Sequence, residues 1–391
     1  MALNGLLAPL NSTMLLVALP DVARGLRVEA PAANWLVTAY LATMAASLAV
    51  GGRLGDRFGR RRVVFVGLIG HGLFSILGAV APTLWVLVLA RVGMAASSSI
   101  VFPAGTALLR EFISADRRGR AFGTVAAVLT LSAAVGPLVG GLLVLLGGWR
   151  TIFVANLPVV ACAFVIAWWA LPTSKLALST EKRAVLRLDL LRSRPFAGAV
   201  TAIAFSNLAM YTTLLAIPVI TAARSGLGSE ARGALLSALS AGSVVFAPIG
   251  GRIADRSGRR LPALVGMLLA AAGLALAALL GANLPALAVL LALTGVGLGL
   301  SGAGMQTAAV EAVPAADAGS AVGLYSTARY LGGVAGTGVS AIVFAAVGTA
   351  AALTPLLLLL ALAALLSAVA CLNLSPPQPR RAIPESKPTP V

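Results

Sequence analysis

The chain has 391 residues, 59% of them hydrophobic and only 10% charged, with a net charge of +17 and a mean hydropathy of +0.98. An average soluble domain is about one quarter charged, so this balance excludes an ordinary soluble fold and points to a polytopic membrane protein. The long Leu-, Ala- and Gly-rich runs lack the period-2 alternation of a spanning barrel, which leaves an all-α chain, because only helices and closed barrels satisfy their backbones within lipid.

Cutting the sequence at charge clusters and Pro/Gly breaks predicts twelve crossings, at roughly 3–20, 34–53, 63–82, 84–108, 120–146, 151–171, 196–221, 233–253, 261–281, 285–308, 319–347 and 350–373. The first contains LNSTMLLVALP, in which Asn11, Ser12 and Thr13 interrupt an apolar run. That run has no charged segment before it, so it is expected to remain as a helix and not to be cleaved as a signal peptide. The third contains His71, the single histidine, suited to a packed site, a polar cavity or a proton relay. The fourth and eleventh hold Arg91 and Arg329, the two arginines placed inside crossings, where a charge is costly unless it is paired or reaches a water-filled cavity. Cys162 and Cys371 lie in apolar runs and read as small hydrophobes; no metal site or cofactor is expected.

The longest polar gap, 172–195, divides the chain into an N-terminal six-helix bundle (1–171), a cytoplasmic linker (172–195), a C-terminal six-helix bundle (196–373) and a tail (374–391). With the N-terminus in the cytoplasm, 22 Lys/Arg fall in inner segments and 5, namely Arg24, Arg27, Arg150, Arg224 and Arg232, in outer loops. That asymmetry puts both termini in the cytoplasm and the protein in the cytoplasmic (inner) membrane. The basic balance is thus topological; lipids are the expected macroscopic partner and nucleic acid is not.

Residues 51–62 read GGRLGDRFGRRR and residues 250–260 read GGRIADRSGRR, 199 positions later, each at the inner end of the second helix of its half. A duplicated pair of six-helix bundles follows. Gly51, Gly52 and Gly55 permit close helix contact, Asp56 can cap or pair at a helix end, and Gly59 permits a tight reversal. The fifth crossing holds SAAVGPLVGGLL, where Gly136, Gly140 and Gly141 allow close approach and Pro137 removes a backbone donor and bends the helix.

These stretches resemble signatures of the major facilitator superfamily. The resemblance implies two pseudo-symmetric six-helix bundles and alternating access, with Gly52, Asp56, Arg57, Gly59, Arg60 and Arg61, and in the second copy Asp255, Arg256, Arg259 and Arg260, serving as an inner conformational latch. The fifth-helix stretch resembles the antiporter motif of drug-exporting members, with Gly136, Pro137, Gly140 and Gly141 carrying it and Ser132 standing where its leading glycine is usual. WLVTAYLA (35–42), GGWRTIFVANLPV (147–159) and AGSAVGLYSTARYLGGVAGTG (318–338) are similar to signatures of the drug/proton antiporters that usually have fourteen helices. Here the linker has no room for two more. Arg91 matches an arginine for which that family implies proton transfer, but Met94-Ala95 replace the usual Gln-Gly; a structural arginine is the alternative. Arg329 suits a helix contact as well as substrate or proton work.

Of the 12 acids, none lies at the middle of a crossing; Glu111 and Glu311 come nearest, at inner helix ends. In the resembled branch an acid stands where this chain has Asn11, which cannot titrate but still donates and accepts hydrogen bonds. Coupling therefore uses another group, with Asp21, Glu311, His71 or waters linked to Arg91 as candidates, or transport is weakly coupled or follows a different ion or gradient. The expected activity is export of small-molecule drugs, antibiotics or metabolites by proton antiport, by a single chain. Its cavity between the halves would be lined by residues such as Asn11, Thr38, Tyr40, Asn207, Tyr211, Gln306 and Tyr325. The alternative is a transporter of sugars, amino acids or organic anions with different or weak ion coupling. Phosphate loops, metal-spaced clusters and nucleophile constellations are missing from the sequence, so no enzyme is expected.

Overall fold

The computed structural model describes residues 2–112, 132, 135–171, 188–280, 283–314 and 317–374, and among these it is built of helices with no strand. In chain order the long helices are α1 (Ala2–Leu26), α2 (Trp35–Phe58), α3 (Arg60–Ala79), α4 (Leu84–Phe112), α5 (Val135–Gly147), α6 (Thr151–Ala170), α7 (Arg194–Ser225), α8 (Ser229–Ser257), α9 (Arg260–Leu280), α10 (Leu284–Glu311), α11 (Ala318–Val347) and α12 (Leu353–Cys371), with short helical turns at Ala30–Ala33 and Leu188–Arg192. Nine of these twelve contain an apolar stretch long enough to cross a membrane, and α2 and α5 carry shorter ones. Residues 120–131, 133 and 134 of the fifth predicted crossing, 172–187 of the linker and 375–391 of the tail lie outside the described residues.

Each half assembles by the same pairing scheme. Helix α2 packs on α4 as α8 packs on α10, α1 on α6 as α7 on α12, and α3 on both α4 and α6 as α9 on both α10 and α12. The repeated sequence explains part of this. A Cβ on Gly51 would stand 2.3 Å from the Ser99 carbonyl oxygen of α4, and one on Gly250 would stand 2.4 Å from the Leu300 carbonyl oxygen of α10, so both copies need glycine for backbone to meet backbone. The turns that follow are also alike: Gly59 has φ +90° and Gly258 φ +84°, a conformation that a Cβ makes strained.

The outward faces carry Leu73, Leu146, Leu279 and Ile342, all exposed, as expected where the surrounding solvent is lipid. Exposed tryptophans mark two levels, Trp35 and Trp85 near one end of the bundle and Trp168 and Trp169 near the other, in keeping with interfacial anchoring. The end holding Trp35 is called outer below, after the Lys/Arg count. The two halves meet where α1 touches α7 and α8, and where α2 touches α11.

Two boundaries depart from the sequence expectation. Asp21 and Arg24 lie within α1 and Arg232 lies within the first turn of α8, not in outer loops. Hydropathy ends a crossing at its first charge, whereas here Asp21 and Arg232 neutralise one another and the helices continue.

Candidate functional site

The polar residues of α1 face the centre of the molecule. Asn11 is fully buried, and its Oδ1 accepts a hydrogen bond of 3.0 Å from Arg91 Nη1 on α4. A guanidinium has only donors, so the amide oxygen must face it; the amide nitrogen then turns to the Met94 sulfur at 3.9 Å. Arg91, itself fully buried, lies over the Tyr40 ring of α2 with 4.0 Å from Cζ to the centroid. Ser98 joins this group, hydrogen-bonded to Tyr40 and 3.1 Å from His71 Nδ1. Thus Met94 and Asn11 together take the place of the amide partner expected beside Arg91, and His71 is a packed residue of α3.

From the other half, Tyr211 on α7 hydrogen-bonds to Ser12, so the α1 polar stretch reaches across the junction. Arg329 on α11 is half-buried, its Cζ 5.6 Å from the centroid of Tyr325. Asn207 is buried but donates to the Ile203 carbonyl of its own helix at 3.1 Å, and Gln306 is exposed. The structure therefore brings Asn11, Tyr40, Arg91 and Tyr211 together and leaves Gln306 apart.

The outer junction holds contacts that the sequence did not announce. Arg232 is fully buried: its Nη2 donates to Asp21 Oδ2 at 2.7 Å, Nη1 to the Val17 carbonyl at 3.3 Å and Nε to the Gly228 carbonyl at 3.2 Å. Asp21 also binds Arg24. Beside this pair the Gly-Pro-Gly-Gly stretch of α5 crosses α8: a Cβ on Gly141 would meet the Ser229 carbonyl oxygen at 2.7 Å, and one on Gly233 the Pro137 carbonyl oxygen at 2.8 Å. Gly140 fits as tightly against Met14 of α1, while Gly136 and Pro137 are buried in the same crossing. Thr38 of α2 and Thr337 of α11 share a hydroxyl hydrogen bond of 2.8 Å, a third tie between halves. Asp21 and Arg232 are charges sitting at edges of apolar runs, and only a helical continuation of those runs could have signalled their meeting.

At the inner end Arg259 is satisfied by carboxylates of its own half. Arg259 pairs with Asp255 and, in a two-point contact at 3.0 and 3.2 Å, with Glu311. The hydrogen bonds that Arg259 donates to Glu311 raise the Arg259 pKa above its ordinary value, partial burial opposing and Asp255 adding. Arg61 lies over the rings of Phe65 and Trp168 at 5.7 and 6.0 Å, Arg57 lies over Phe58 at 5.3 Å, and Arg60 is also engaged. Arg256 is exposed. Gly52, Asp56 and Glu111 are placed as helix residues, and their side chains lie outside the described set.

Comparison with known proteins decides the family. The family model for the Major Facilitator Superfamily matches residues 1–233 and again residues 199–391. The chain belongs to this superfamily. Its two overlapping matches parallel the repeated packing scheme, and membership makes it a multi-pass membrane transporter with a small-molecule substrate.

Among relatives of this superfamily member, the MFS-type transporter YwoD of Bacillus subtilis is 26% identical over 404 aligned positions, covering 88% of this chain and 89% of that one. The tetracenomycin C resistance and export protein of Streptomyces glaucescens is 27% identical over 401 positions, covering 88% and 74%. The puromycin resistance protein pur8 of Streptomyces alboniger is 40% identical over 161 positions, covering 41% of this chain and 32% of its own length.

Proposed function

We propose that this transporter exports small-molecule drugs, antibiotics or metabolites across the cytoplasmic membrane by proton-coupled alternating access, with both termini cytoplasmic and one chain as the working unit. The observation that carries the reading is the buried Asp21–Arg232 pair, which ties the outer ends of the halves, while Arg259 at the inner end pairs with Asp255 and Glu311 of its own half. An outer tie of this kind supports a conformer closed outward and ready to load from inside. The name of the tetracenomycin C resistance and export protein supports export over uptake.

The moving units are residues 1–171 and 196–373, joined by 172–195. In the opposite conformer the Asp21–Arg232 pair and the α5–α8 crossing separate, and the inner segments holding Gly52, Asp56, Arg57, Gly59, Arg60, Arg61, Asp255, Arg256 and Arg259 lock together. Gly136, Pro137, Gly140 and Gly141 serve as the outer seal. Coupling falls to groups at the junction, Asp21 foremost, because Asn11 does not titrate. Efflux from inside-out vesicles tests this: uptake of a compound panel should rise with an imposed proton gradient and collapse with a protonophore. Transport indifferent to the gradient sinks the antiport reading.

A further inference from the structure

The transport reading leaves the charge of the substrate open, and the central cluster bears on it. Of the 4 tyrosines of the chain, Tyr40 lies under Arg91 and Tyr325 beside Arg329, and the single histidine, His71, contacts Ser98 of the Arg91 helix. Gly333 of α11, one turn from Arg329, packs against Leu41, the neighbour of Tyr40, and against the Tyr211 ring: a Cβ there would meet them at 2.8 and 3.1 Å. The patch is therefore continuous from Arg91 in one half to Arg329 in the other.

Its charge is one-sided. None of the 12 acids of the chain lies at the middle of a crossing, so neither arginine has a carboxylate at its own depth. Arg91 is buried against a neutral amide and a neutral ring, and its Nε has no hydrogen-bond partner; the Nε of Arg329 is likewise unpartnered. Burying a charge is costly unless it is paired and hydrogen-bonded, and an aromatic face replaces only part of the lost hydration. Guanidinium and phenol groups together offer donors to an acceptor that carries negative charge. A cationic substrate would find repulsion and no counter-charge.

We propose that this cluster is an anion site and that the substrate is an organic anion with an apolar, aromatic-compatible body, its acidic group held between Arg91 and Arg329. The proposal rests on the transport reading for its use but not for its test. Asn11 acts as a spacer: it orients Arg91 without neutralising it, which leaves the charge free for cargo.

The test is equilibrium dialysis of radiolabelled 1-naphthoate, 1-naphthol and 1-naphthylmethylammonium against the purified full chain in uncharged detergent. The acid should bind at least tenfold more tightly than the ammonium compound and more tightly than the neutral naphthol. R91Q and R329Q should each reduce acid affinity about tenfold and leave naphthol unchanged, while R91K retains most of it. N11D, nearly isosteric, sets a fixed carboxylate against Arg91 and should remove the preference for the acid by satisfying the arginine internally. Ammonium binding equal to or tighter than acid binding, acid binding no tighter than naphthol, or a wild-type preference surviving in all three neutralising variants overturns the proposal. Dialysis has no direction and no gradient, so an anion preference without gradient-driven efflux sinks the export reading and leaves the site standing.

Discussion

The two ends of the bundle handle charge in opposite ways. At the outer end a buried arginine of one half meets an aspartate of the other, beside a glycine-to-carbonyl crossing that admits no extra carbon. At the inner end a partly buried Arg259 bonds to two exposed carboxylates of its own half. Removing one partner from a buried pair leaves a charge without compensation, at about 3–5 kcal/mol, whereas an exposed pair contributes about 0–1 kcal/mol. The outer contacts are therefore positioned to decide whether the halves stay together, and the inner ones to hold the shape of one half.

The largest effect is expected at Asp56, in the first copy of the repeat. If the inner segments lock only in the opposite conformer, D56N should abolish transport, at least a hundredfold in initial rate, while membrane insertion and purified yield stay normal. Normal efflux from D56N vesicles would remove Asp56 from the conformational cycle.

Next is the outer pair. D21N keeps a hydrogen-bond acceptor for Arg232 but takes away its counter-charge, so the closed outer end loses a stabilisation approaching the buried-pair range of about 3 kcal/mol, discounted because Asp21 is partly exposed. Spin labels at the outer ends of α1 and α8 should report a population at least tenfold richer in the separated state, and D21E should restore much of the short distance. Unchanged distances in D21N would make the pair a mere surface contact.

The α5–α8 crossing comes third. G141V brings carbon into a space where a Cβ already meets the Ser229 carbonyl oxygen at 2.7 Å, so α8 must move away. Overpacking of this kind costs about 1–3 kcal/mol. The same spin-label distance should lengthen, by less population shift than in D21N, and vesicles should show slowed transport. G72A, where a Cβ would meet only a Val160 methyl at 3.5 Å, serves as the control with no expected change.

What the sequence makes plain and what it hides have a physical division. Twelve apolar runs separated by basic clusters require twelve helices, because lipid leaves the backbone no other partner. The internal repeat requires two halves, and glycine at both copies announces the close crossings. Residue type alone marks Asn11, Tyr40, Arg91 and Arg329 as exceptional at their depth. It does not say which neighbour each takes, since Arg91 and Asn11 are 80 residues apart and Thr38 and Thr337 are 299. Asn207 looks equally exceptional in sequence but spends its amide on its own helix, and Asp21 and Arg232 were hidden by the rule that charges end a crossing. Pairing is a tertiary property, and each of these misreadings concerns a pair.

The smallest expected effect is at the inner ion pair, and its pH behaviour distinguishes a structural tie from a coupling site. Glu311 holds the proton on Arg259 more firmly than solvent does, so the Arg259 pKa is raised in the folded chain. A cation with a raised pKa contributes its full stabilisation below its ordinary value and loses it only as pH climbs through the folded value, far into the alkaline range. No change in the charge of Arg259 thus falls between pH 6 and 8. E311Q leaves Asp255 on Arg259, so transport should drop by no more than about twofold, as expected for exposed pairs, with an unaltered pH profile across that window. A profile displaced by half a unit or more in E311Q would instead make Glu311 a proton carrier and move the coupling site from the outer junction to the inner end.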